Sequence, residues 1–145
     1  MGIGFEECVR RGKIRRFSRG PFLAPKEIET AASDLKRAQR TFKEGDFKWA
    51  TIQVYFAMFH AGRAMIYARK YREQSHSCLV EALRSLFVDK GLLAGEILEG
   101  FREAKALREE ADYFNRWSKT GCEHLLDLGR RFIEISRKFV IPMKN

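Results

Sequence analysis

Arg108 occupies the position in this chain that most suggests chemistry. On an ideal helix of about 100° per residue, it falls inside the apolar stripe of Ile97, Phe101, Ala104 and Ala111, with Asp112 one turn on. A cation in such a stripe is costly unless it is paired or lines a cleft or interface. Two readings follow. Asp112 at i+4 can hold Arg108 in a structural ion pair that orients helices, or the guanidinium is held toward a phosphate, which it can grip through two parallel N–H bonds. Tyr113 is the next group with a titratable proton, and with an ordinary pKa near 10 it is a poor base at neutral pH.

A second polar line runs along an otherwise apolar segment, from Ala50 to Ala68. Gln53 and His60 lie seven residues apart, two turns along one face, with Phe56, Arg63 and Tyr67 beside them. His60 reads either as a histidine satisfied at a helix contact or as a binding group, and Arg63 as an interface or snorkelling arginine. Because this helix is apolar around most of its girth, it must be covered on more than one side. The expectation is a homodimer whose interface includes Gln53, Phe56, His60 and Tyr67.

These residues need helices to position them. Ile28, Ala31, Ala32, Leu35, Ala38 and Phe42 recur at spacings of three and four and predict a first helix from Pro25, ended by Gly45. Asp46 caps a second from about 47 to 68. A third follows Ser75 or Ser77 and ends at Gly91, and a fourth spans about 93–114. A fifth begins near Thr120, which has capping-box spacing to Glu123, and runs to about 140. No run alternates with period two long enough to predict a strand. The fold expected is all-α, an up-and-down antiparallel bundle of four to five helices joined by short connections.

The chain has 145 residues and a net charge of +9, so it suits one domain and a polyanionic partner such as RNA. Residues 1–24 carry an excess of four positive charges, broken by Gly12, Gly20 and Pro21, and read as a basic arm or solvated tail before a bundle domain over 25–145. Cys8, Cys78 and Cys122 are odd in number and widely spaced, which predicts free thiols in a reducing cytoplasm. No signal peptide or membrane span is expected, nor a metal or cofactor. Glu73 and His76 form one ExxH where a di-iron bundle needs two, and no glycine-rich phosphate loop occurs. Ser118, Thr120 and Cys122 lack a paired base nearby, and a helix-turn-helix reading rests on charge alone.

Three segments together resemble a known family. Val54-Tyr55-Phe56-Ala57-Met58-Phe59-His60-Ala61-Gly62-Arg63-Ala64, then Ser75-His76 before Leu79, then Leu107-Arg108-Glu109-Glu110-Ala111-Asp112-Tyr113 are similar, in order and spacing, to the AYYAMFHAARAL, S/T-H and LRxxADY segments of prokaryotic HEPN domain proteins. The similarity covers about 26–140. It implies a helical bundle, usually a homodimer, related to the C-terminal domain of kanamycin nucleotidyltransferase. It also implies a small nucleotidyltransferase as partner, in toxin–antitoxin pairs. Many such proteins are metal-independent ribonucleases, with an arginine followed four to six residues later by a histidine, leaving a 2′,3′-cyclic phosphate.

This chain departs from that motif, because Tyr113 stands five residues after Arg108 where a histidine is expected. Arg69 and His76 satisfy the string only across a helix junction. The resemblance thus carries His60, Arg63, His76, Arg108 and Asp112 as nucleotide, RNA or partner-binding residues, with Arg108 and Tyr113 as the catalytic candidates. The function expected is a dimeric binding module, and the alternative is a ribonuclease toxin that uses Arg108 as its phosphate clamp.

Overall fold

A computed structural model describes residues 4–140. The element order is α1 (Phe5–Arg10), β1 (Ile14–Arg16), α2 (Gly20–Lys43), α3 (Phe47–Ala68), β2 (Tyr71–Glu73), α4 (His76–Leu83), a π-helical turn (Arg84–Val88), α5 (Gly95–Tyr113) and α6 (Lys119–Val140). The bundle is all-α apart from one small sheet, as the periodicity predicts.

The stripe Ile28, Ala31, Leu35 and Ala38 buries α2 against α3, while Leu125, Phe132 and Ile133 lay α6 along another side. Asp46 caps α3 by accepting a 3.0 Å hydrogen bond from the Trp49 amide. Ser75 caps α4 in the same way, accepting from Cys78 at 3.2 Å. At α6 the cap is Ser118, which accepts from the Gly121 amide at 2.9 Å, and not Thr120. No helix among the described residues is long and apolar enough to cross a membrane.

Helix α3 is the central post, buried along most of its length. The helices α2, α5 and α6 of its own chain cover it, so its apolar girth does not by itself require a second chain. The close crossing of α3 and α6 depends on Gly129, whose absent Cβ would stand 2.9 Å from Val54 Cγ1.

The N-terminal segment corrects two expectations. In place of a solvated tail, β1 pairs antiparallel with β2, Ile14 opposite Glu73 and Arg16 opposite Tyr71. Strands of three residues are too short to leave a readable alternation. Cys8 and Cys78, expected as free thiols, form a disulfide across 70 residues of sequence, and only Cys122 stays free. Spacing cannot reveal a pairing that depends on how the arm folds back onto α4.

The first long helix also begins earlier than its periodicity suggests, at Gly20, leaving Pro25 inside it. Gly20 packs directly on the end of α3, and a Cβ there would collide with the Tyr67 carbonyl. Backbone cannot yield as a flexible side chain can. Gly20→Ala is therefore expected to cost about 3 kcal/mol, read from the urea midpoint, and an unchanged midpoint would show that this contact is loose.

Candidate functional site

The guanidinium of Arg108 stands at the end of α5 among three aromatic rings. Its central carbon lies 5.5 Å from the Tyr55 ring centroid, 5.3 Å from Phe56 and 5.2 Å from Tyr113. Such stacking keeps a cation in a partly apolar place without quenching its in-plane donors. One terminal nitrogen meets the Asp112 carboxylate at 3.1 Å, and the buried Nε–H has no acceptor. The predicted ion pair is present, but it uses only part of the guanidinium's hydrogen-bonding capacity.

Tyr113 lies closer than an ideal helix suggests. Five residues apart on a regular helix, the two side chains would diverge by about 140°, yet Arg108 reaches the Tyr113 ring. The long arginine stem and the end of α5 at Tyr113 permit this.

His76 approaches the same cluster through a residue that sequence reasoning missed. The Tyr55 hydroxyl and His76 Nδ1 are 3.0 Å apart, so Tyr55 touches both His76 and Arg108. A tyrosine on a mostly buried helix needs a partner for its hydroxyl, and that was the available signal. Burial pushes the Tyr55 phenol up to about 12, partly opposed by the charge of Arg108. Burial pushes His76 down to about 4, helped by the positive charge of Lys105. On its outer side His76 opens on a cleft of about 290 Å³ whose walls include Ser77, Arg102 and Lys105. Arg69 is elsewhere, stacked on Phe87 at 5.0 Å, so the Arg69–His76 string does not form a site.

The depressed His76 pKa makes stability depend on pH. Between about 4 and the ordinary 6.5, the unfolded chain binds a proton that the folded chain refuses, so stability falls as pH drops through that window. The expected loss from pH 7 to pH 4 is about 2 kcal/mol once His76's partial exposure is allowed for. The measurement is the difference in urea midpoints at the two pH values between wild type and His76→Gln. Equal acid sensitivity in both would rule the effect out.

His60 and Arg63 belong to a separate network. His60 Nδ1 is 2.9 Å from Glu27, and Arg63 grips Glu73 through two bonds of 3.2 and 3.0 Å. Burial alone would raise the Glu27 carboxyl, but its hydrogen bond to His60 and the charges of His60 and Arg63 hold it below the usual range. Glu73, the acid of the single ExxH, is thereby committed to Arg63. This network ties α2 and β2 to α3 and does not reach Arg108.

The residues expected at an interface also separate. Gln53, Phe56 and His60 line a cleft between α2 and α3, whereas Tyr67 is only 8% exposed. It packs against Phe17 of its own chain at 5.0 Å. Of the other exposed rings, Phe22 stands at the start of α2, and Tyr113, Phe114, Trp117 and Trp49 stand on α5, the loop that follows it and the first turn of α3.

Comparison with known proteins agrees with this architecture. The model of the HEPN domain matches residues 24–139. A protein of Methanocaldococcus jannaschii named "putative toxin" is 24% identical over 86 residues, which is 59% of this chain and 64% of that protein. The chain thus spans less than two thirds of that relative's length.

Proposed function

The chain belongs to the HEPN domain family, and from that premise we propose that it is a dimeric binding module whose Arg108 site takes a phosphate of RNA or of a nucleotide. The observation that carries this reading is the state of Arg108. Its guanidinium is stacked on three rings and held by one carboxylate, with an Nε–H that lacks an acceptor. A phosphate oxygen supplies the missing acceptor, and Asp112 keeps the fork in plane to meet it. The net charge of +9 adds long-range attraction for a polyanion.

Dimerisation enters through the exposed rings around this site. Tyr113 and Phe114 are 64% and 66% exposed, an apolar surface that a second copy would cover while bringing two Arg108 sites to one cleft. The relative named as a putative toxin supports a toxin role; the proposal adds a small nucleotidyltransferase as its antitoxin and a cytoplasmic setting. There the burial of Cys8 and Cys78 shields their disulfide from reductants.

One observation favours a second reading, a metal-independent ribonuclease. Tyr55 links a neutral His76 to Arg108, so a proton acceptor and a phosphate clamp share one neighbourhood although they lie on different helices. Arg108 would then stabilise the phosphorane while His76 takes the 2′-hydroxyl proton.

One experiment tests both. Labelled single-stranded RNA is titrated with protein in EDTA, and the bound and cut fractions are read from the same samples, with light scattering for the oligomer. Binding by a dimer without cutting is expected. Cyclic-phosphate ends would shift the conclusion to the ribonuclease, and no binding at low salt would overturn the module.

A further inference from the structure

A second cleft, of about 300 Å³, lies between α2 and α3 and shares Phe56 with the Arg108 cluster. Its walls are Asp34, Arg37, Trp49, Gln53, Phe56 and His60. Trp49 is 50% exposed and Phe56 39%, and the two rings flank Gln53 on one face of α3. Two acceptors at this cleft lack donors. Gln53 Oε1 is buried without a hydrogen-bond partner, a state that costs free energy until a donor arrives. The Asp34 carboxylate has only distant company, with Arg37 and His60 Nε2 each 3.9 Å away. His60 cannot turn toward it freely, because its Nδ1 is tied to Glu27 at 2.9 Å. Arg37 remains as a solvent-facing cation at the rim.

The chemistry that satisfies all of this is a flat aromatic ring with in-plane N–H donors and an attached anion. Stacking surfaces take the ring, Gln53 and Asp34 take the donors, and Arg37 takes the anion. We infer that the α2–α3 cleft binds the base of a nucleotide whose purine carries an exocyclic amino group. Entry of the base displaces the exposed Trp49 ring and gives Gln53 Oε1 its missing donor. The inference rests on the nucleotide and RNA reading above, and adds a base-selective pocket beside the phosphate site. An arginine side chain of a peptide would supply a stacking plane and donors but would place a second cation beside Arg37 and bring no anion to it.

The test compares AMP with purine riboside 5′-monophosphate, which differs only in carrying a hydrogen where AMP has its 6-amino group. Binding is followed by Trp49 fluorescence in a Trp117→Phe background. AMP is expected to bind about tenfold more tightly than the purine riboside monophosphate, the effect of one buried hydrogen bond to an otherwise unpaired acceptor. Gln53→Leu should erase the difference, and Trp49→Ala, read by calorimetry, should weaken both ligands. Equal affinities for AMP and purine riboside monophosphate in the folded parent chain would overturn the inference without recourse to any variant, as would a preference that survives Gln53→Leu.

A matched pair of oligoribonucleotides carrying one unpaired adenosine or purine riboside separates the sources. A preference seen only there assigns the pocket to RNA, and one seen with mononucleotides as well assigns it to free nucleotide. Arg108-dependent oligonucleotide binding with no preference for the amino group sinks the pocket alone. An AMP preference that stays intact while Arg108→Ala leaves all nucleotide and oligonucleotide binding unchanged sinks the phosphate-site reading alone.

Discussion

Cys8→Ser is expected to lower the stability of this protein by about 4 kcal/mol, the entropy released when a closed loop of 70 residues is opened in the unfolded chain. For a domain of this size that corresponds to a fall in melting temperature on the order of 10 °C. Dithiothreitol under denaturing conditions, followed by refolding, should reproduce the effect in the wild type and leave Cys8→Ser unchanged. The loss should not stay local. Helix α1, β1 and its pairing with β2, and the Ser75 cap that starts α4 at His76 all lie on the strap that the bond closes. Thiol titration of the unreduced, denatured chain gives an independent check, because one reactive thiol, Cys122, is expected. Three thiols, or an unchanged melting temperature, would contradict the staple.

Arg108→Ala is expected to weaken RNA binding by about 10- to 100-fold, as removal of a bidentate cation from a phosphate does. It should also reduce the dependence of log affinity on log salt by about one unit. Arg108→Lys keeps the charge and loses the planar fork, so its affinity should fall between the two. Because Arg108 packs on Tyr55, Phe56 and Tyr113, the alanine variant should also melt a few degrees lower. The lysine variant separates that packing loss from phosphate binding. Wild-type affinity and salt dependence in both variants would remove Arg108 from the binding site.

The bundle was legible before any coordinates because its determinants are local and periodic. Stripes such as Ile28, Ala31, Leu35 and Ala38 recur at helical spacing, and stop signals such as Gly45 with the Asp46 cap act within one turn. The cation in the α5 stripe was legible for the same reason, since Arg108 and Asp112 are four residues apart on a single helix. The resemblance to HEPN proteins rested on three such segments.

What tertiary structure decided are the meetings between segments far apart in sequence. Tyr55 joins His76 to Arg108 across three helices, and Arg63 claims Glu73 from the neighbouring strand. Phe17 covers Tyr67, which helical periodicity alone places on an open face. Cys8 finds Cys78 only because the arm folds back against β2 and α4. Periodicity along one helix reports which face is apolar and which side chains share it, and so it established the elements and the odd cation. It carries no information on which distant side chain will stand opposite, because that depends on how the elements pack together.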